Sequence, residues 1–406
     1  MGTRAATIKV LAFMEARRAA GPARNLIEFA ARARLPEGDL PAVDLSIATY
    51  RRRDDSSAFI QAIGAAGVHA ETVVEKRRFD LGVLPQMREL VERLRPDIVQ
   101  THNVKSHLLV RWLGLWRKIS WVAFQHGYTA TDWKDRLYNQ CDRWSLRRAD
   151  RLVCVCQAFA DRYERWGVPA SRIVVQHNPV RPFVAPAPEE MERVRAELGL
   201  AGGEFLVLAV GRLSHEKGHR DLLDAAAILR ARRAGKAIRF VIVGDGPERA
   251  RLEQRRQALG LESAVTFAGY QANVRPYYAL ADVVALPSHT EGSPNVVLEA
   301  LAAQVAVAAT RVGGVPEVVA DGKTGLLTER GDPRGMAEAL ARLIDDADLR
   351  RRLAEAGKRL VTAEHSLDSY RQALVRLYAE LLGETRRTAA PAIPASGVDP
   401  TRPGRK

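Results

Sequence analysis

Two glutamates, Glu291 and Glu299, stand in the stretch EGSPNVVLEALAA (291–303) with seven residues between them. From Asn295 onward Val296, Val297, Leu298, Ala300, Leu301 and Ala302 leave no polar face, the pattern of a buried helix. Ser293-Pro294 predicts its start, a hydroxyl cap followed by proline in the first turn. The free amides of Asn295 and Val296 would then make an end that favours anions, and Gly292 lets a ligand approach the backbone. Glu299 falls about a turn and a half into this helix, its side chain leaning back toward the start. A buried carboxylate needs donors. Two neighbouring sugar hydroxyls would serve, and so would an internal arginine or a backbone amide.

Arg212 and Lys217 stand in GRLSHEKGH (211–219), directly after the apolar run FLVLAV. Two cations on a loop with glycine on each side suit a diphosphate, although solvated loops share that composition. Gly244 belongs to VIVGDGPER (241–249), which lacks the third glycine of the dinucleotide fingerprint and follows the second strand of its series. In the first half, Gly21 precedes a helical stretch (GPARNLIEFA), and His102, Asn103 and His126 come just past two apolar runs, in QTHNVKSH and FQHGYTATDW. A lone histidine is commonly structural; two at equivalent strand ends point toward a shared cleft.

The elements that must position these residues alternate short apolar runs with helical-period segments, an α/β pattern of parallel sheets covered by helices. Strands are expected at 7–13, 43–49, 97–100, 121–124, 151–155 and 172–176, then at 205–210, 238–243, 264–267, 283–286 and 305–309, with helices between them. The proline-rich stretch HNPVRPFVAPAPEE (177–190) separates the two series. The expected architecture is two Rossmann-like, doubly wound parallel-sheet domains facing across a cleft. Residues 1–180 form the first, 181–190 the hinge, and 191–365 the second. A C-terminal helix over 366–384 crosses back to the first domain, and a basic, disordered tail occupies 385–406.

The 406 residues carry a net charge of +14. Residues 1–180 hold 29 basic against 19 acidic side chains, residues 181–385 balance, and the tail adds four positive charges. A basic first half suits nucleic acid, an anionic membrane face or a phosphate-bearing substrate. Aromatic and basic residues interleave in RWLGLWRKISW (111–121), without a nucleic-acid-binding motif. No apolar run reaches membrane-spanning length and the start does not read as a signal peptide, so the cytoplasm is expected. Cys141, Cys154 and Cys156 cannot all pair, and the latter two read as small hydrophobes.

Taken together, GRLSHEKG, VIVGDGP, VTFAGY and the run from VRPYYALADVVALPSHTEGSPNVVLEA to DGKTGLL resemble the retaining GT-B glycosyltransferases of family four, in order and spacing. The resemblance covers nearly the whole chain to about residue 382 and is densest over 205–327. It implies transfer of a sugar from a nucleotide-diphosphate donor, UDP- or GDP-linked, to a saccharide or lipid-linked acceptor, with retained configuration and neither metal nor other cofactor. Arg212 and Lys217 would hold the diphosphate, helped by the amides around Gly292, Ser293, Asn295 and Val296 and by the loop at Gly244. Glu299 would take the ribose hydroxyls, Glu291 the transferred sugar, and backbone near Tyr270 the base. His126 would contact the sugar or its reacting centre, with His102 and Asn103 on the acceptor side and the loop at Gly21 near the phosphates or the acceptor. Such enzymes work in cell-surface polysaccharide or glycolipid synthesis, and the basic half would face the inner membrane surface.

The chain departs from the family where it reads Gly21-Pro22-Ala23-Arg24 and Asn178-Pro179, both on the acceptor side or at the hinge. Other readings are an epimerase or hydrolase of the same architecture, a non-catalytic binding subunit and, third, a nucleic-acid binder.

Overall fold

The computed structural model describes residues 7–389, apart from residues 20, 53–57, 78–79, 128–132 and 233–236. The expected tail beyond Ala389 and residues 128–132 of the His126 loop therefore lie outside the described residues.

The first sheet contains β1 (Ile8–Phe13), β2 (Val43–Arg51), β3 (His69–Val74), β4 (Ile98–Thr101), β5 (Ser120–Gln125), β6 (Arg151–Cys154) and β7 (Ile173–Val175) in the order 3-2-1-4-5-6-7. The second contains β8 (Phe205–Val210), β9 (Ile238–Val243), β10 (Val265–Gly269), β11 (Val283–Leu286), β12 (Ala306–Thr310) and β13 (Leu326–Thr328) in the order 10-9-8-11-12-13. Every strand pair is parallel. Strands covered on both faces read as near-continuous apolar runs, as IKVLAF, FLVLAV and IRFVIV do. Edge strand β3, HAETVV, is only partly covered, and for that reason carries no such run.

In each sheet the strand order reverses between two neighbours, β1 beside β4 and β8 beside β11. Loops leaving the C-terminal ends of such a pair diverge and open a crevice between them. The second reversal places the loop after β8, with Arg212 and Lys217, beside the loop after β11, with Glu291. His102 and His126 likewise follow the neighbouring strands β4 and β5.

The connection between the sheets is extended as far as Ala187. The helix Pro188–Glu197 begins inside the stretch expected as hinge, because proline in a first helical turn needs no N–H partner. The helix Leu367–Ala389 runs past the expected end at 384 and packs on the first domain. Its Tyr370, Leu374 and Tyr378 join the core of the opening helix, Pro22–Arg32, where the rings of Tyr370 and Tyr378 meet Phe29 edge-on. Arg371 donates to the Leu35 carbonyl at 2.6 Å, and Arg151 pairs with Glu384. Cys154 ends β6 and Cys156 lies just beyond it; burial pushes both thiols up, to about 12 and about 11.

Candidate active site

The loop after β11 is built around Glu291, which is 8% exposed. One of its oxygens accepts from the Lys217 ammonium at 2.7 Å and from the Ser288 hydroxyl at 2.6 Å. Gly313 backs this loop so closely that a Cβ there would stand 1.7 Å from the Glu291 carbonyl, with a backbone φ of 51° that side chains rarely adopt. Lys217 lies in a single helical turn after Ser214, whose hydroxyl donates to Glu216 at 2.7 Å. Arg212 is exposed on the same loop. Gly244 packs against it, since a Cβ there would stand 1.8 Å from the Gly211 carbonyl.

The helix Asn295–Ala302 follows, with Pro294 at its N-cap. Ser293 does not cap it, contrary to expectation. Its hydroxyl turns to the hinge and accepts from the Asn178 amide at 3.1 Å, while the Asn178 side chain donates to Asn295 at 3.0 Å. Proline at the cap position removes one donor, and the hydroxyl finds another across the hinge. The amides of Asn295 and Val296 keep the free position of a first helical turn.

Glu299 accepts from the Tyr278 hydroxyl at 2.9 Å, a partner that sequence reasoning missed because Tyr278 sits inside an apolar run. Burial raises the carboxyl above its ordinary pKa of 4.5, against the Tyr278 hydrogen bond and the charges of Arg24 and Arg181. Glu299 and Tyr278 line a cavity of about 460 Å³ between the opening helix, the hinge and the second domain. Arg24, Arg181 and Arg275 line it too, as do Gly21 and Asn295. Tyr270 is outside it, exposed, with the Arg18 guanidinium 5.0 Å from its ring centre.

Across the cleft, the first domain presents two stacked histidines. The polarity of their hydrogen bonds follows from Tyr378, whose hydroxyl donates to the Gln100 carbonyl oxygen. The Gln100 amide donates to His102 Nε2 at 2.6 Å, so His102 carries its proton on Nδ1 and donates at 3.1 Å to His126 Nε2. His126 then holds its own proton on Nδ1, which is shielded from solvent and has no partner among the described residues. Burial keeps both rings neutral, lowering His126 to about 3 and His102 well below 6.5. His102 lies beneath His126 rather than at the surface. Asn103 is occupied locally: its side chain exchanges hydrogen bonds with the Glu15 backbone and accepts from Ser106.

The two halves meet at Gly292. A Cβ there would stand 3.0 Å from Val155 and 3.1 Å from the His126 carbonyl, so the glutamate loop and the histidine loop touch across the cleft. Glu317 of the second domain accepts from the amide of Gln157 in the first at 2.9 Å.

Comparisons with known proteins agree with this fold. The family described as Glycosyl transferases group 1 matches residues 190–360, and the Glycosyl transferase 4-like domain matches residues 38–179. The D-inositol 3-phosphate glycosyltransferase of Corynebacterium urealyticum is 33% identical over 70% of this chain and 72% of its own. The N-acetyl-alpha-D-glucosaminyl L-malate synthase of Bacillus anthracis is 27% identical over 79% of this chain and 84% of its own. Among solved structures, Anabaena Alr3699/HepE in complex with UDP and glucose superposes with a TM-score of 0.79 over 92% of this chain and 100% of its own, at 22% identity, a likeness of fold. Relatives of this kind do not favour the epimerase, hydrolase or binding-subunit readings. The chain is a glycosyltransferase of GT-B architecture and belongs to the group 1 glycosyltransferases.

Proposed function

We propose that the enzyme transfers a hexose or N-acetylhexosamine from a UDP- or GDP-linked donor to a saccharide or lipid-linked acceptor, with retention of configuration. The contact between Lys217 and Glu291, set by the pairing of β8 with β11, carries the reading. It brings a cation suited to a leaving diphosphate against a carboxylate suited to sugar hydroxyls, at the crevice where ligands of doubly wound sheets bind. UDP appears with the related fold of Alr3699/HepE, which supports a nucleotide donor.

Arg212 and Lys217 bind the diphosphate and stabilise the charge that grows on it as the sugar bond breaks, with the amides of Asn295 and Val296 adding to that field. Glu299, held by Tyr278, accepts from the ribose hydroxyls. Glu291, held by Ser288 and Lys217, accepts from hydroxyls of the sugar and faces its reacting carbon. His126 contacts the sugar from the first domain. The oxygen of the departing phosphate takes the acceptor's proton while the acceptor oxygen attacks the same face, so the chain need supply no general base. This mechanism assigns no cofactor or metal.

The acceptor enters from the first domain, past His126. A place at the inner face of a membrane, reached through the basic first half, completes the reading. No helix among the described residues is long and apolar enough to cross a membrane.

The test is incubation with UDP- and GDP-sugars, with and without a panel of saccharide acceptors, followed by NMR of the product's anomeric proton. Acceptor-dependent release of nucleoside diphosphate with a retained anomer is expected. Release without an acceptor would point to hydrolysis, and an inverted anomer would overturn the mechanism.

A further inference from the structure

One feature of the first domain has no part in the cleft. Trp112, at the end of the helix Val104–Trp112, is 58% exposed, and Trp144, near the end of the helix Trp133–Leu146, is 48% exposed. Between them the Trp116 ring is surrounded by the guanidinium groups of Arg111, Arg117 and Arg148, at 4.7, 5.0 and 5.2 Å from its centre. Arg111 also lies 4.4 Å from the Trp144 ring. These residues lie where β5 and β6 begin, and so at the opposite end of the domain from the cleft.

Charge on this face is uncompensated. Among the described residues, Arg151 at the same end of the domain has a carboxylate partner in Glu384, whereas none lies against Arg111, Arg117, Lys118 or Arg148. Three guanidinium groups crowded on one indole repel one another, and an anionic surface would relieve that repulsion. Exposed indoles beside long cationic side chains match the headgroup layer of a bilayer, where the ring seats among the acyl ends and the cations meet lipid phosphate. A nucleic acid fits less well, because the guanidinium groups already occupy the Trp116 ring on which a base would stack.

We infer that Trp112, Trp116, Trp144, Arg111, Arg117 and Arg148 form a docking face for an anionic lipid bilayer. The inference rests on the membrane reading above and narrows it to one face. Because that face is remote from the cleft, a docked enzyme keeps the cleft open to a soluble donor and a saccharide acceptor.

The test is flotation of the full chain with phosphatidylcholine vesicles, with and without phosphatidylglycerol. Wild type floats with the anionic vesicles and not with the neutral ones. Arg117→Gln with Arg148→Gln lowers the partition coefficient by roughly thirtyfold, about fivefold for each cation lost. Trp112→Ser with Trp144→Ser keeps binding at low salt and loses the part that resists high salt. Unfolding temperature and circular dichroism report that both variants are folded. Wild type that floats with neither vesicle overturns the membrane reading itself. Wild type that floats, with both variants indistinguishable from it, overturns the assignment to this face. Retention on duplex DNA with no vesicle binding would make the partner a nucleic acid.

Discussion

The Lys217 ammonium lies 2.7 Å from the Glu291 carboxylate, although 73 residues separate them in the chain. The contact exists because β8 and β11 are neighbours at the reversal of strand order, so the loops that leave them meet over the crevice. Neither residue is anchored by the other alone. Ser288 holds Glu291 from beneath, and the turn after Ser214 presents Lys217.

Removing Lys217 strips a cation from the leaving diphosphate and also frees Glu291 on one side. Lys217→Ala is expected to lower kcat/KM by about 10²- to 10³-fold. Ser288→Ala, which leaves the cation in place and loosens only the carboxylate, is expected to cost about tenfold, the size of one hydrogen bond to a charged group. Steady-state transfer kinetics check both, and equal losses would contradict the separate roles.

Nucleotide-sugar binding should fall on the acid side. Glu299 accepts ribose hydroxyls best when ionised, and burial raises its pKa above 4.5, so affinity is lost as pH falls through a value above the ordinary glutamate range. The Tyr278 hydroxyl stabilises the ionised form. Tyr278→Phe is therefore expected to move the midpoint to higher pH. Calorimetric titration of an intact nucleotide-sugar, whose diphosphate does not titrate in this range, reads the midpoint. An unmoved midpoint would contradict the assignment.

The stacked histidines predict an acid-sensitive fold. Unfolded, each takes a proton near 6.5; folded, His126 takes one only near about 3, and His102 well below 6.5. Between these limits the unfolded chain binds more protons, so stability falls as pH falls, by up to about 1.4 kcal/mol per pH unit for each ring. Denaturant midpoints from neutral pH to about pH 5 measure the slope, which the paired change His102→Gln and His126→Gln should flatten.

Gly313 tests the packing behind the glutamate loop. Alanine there would place a Cβ 1.7 Å from the Glu291 carbonyl at a φ of 51°. Gly313→Ala is expected to destabilise by about 3 kcal/mol or more, whereas Gly202→Ala, with open space around it, should stay within about 0.5 kcal/mol. Thermal unfolding of the two variants makes the comparison.

Most of this arrangement was legible because parallel sheets buried on both faces write themselves as apolar runs. The runs from IKVLAF to VAVAA marked eleven of the strands, and the residues just past them marked the cleft. What was not legible depends on pairing across the fold. Edge strand β3 is half wet and carries no run, and β13 is only three residues long. Tyr278 looked like core until its hydroxyl met Glu299. Ser293 carried a local capping signal that the hinge residue Asn178 overrode. The chain from Tyr378 through Gln100 and His102 to His126 spans 278 positions between Tyr378 and Gln100 alone, so no local pattern could announce it.

The central claim is that Arg212 and Lys217 hold a nucleoside diphosphate. Its most direct test is thermal unfolding of wild type and Arg212→Ala with UDP, GDP, ADP and CMP. A ligand at a hundred times its Kd adds about 2.7 kcal/mol to stability. The expected result is one nucleoside diphosphate, UDP or GDP, that stabilises wild type and loses most of that effect in Arg212→Ala. Equal stabilisation of both proteins, or none by any nucleotide, would contradict the account.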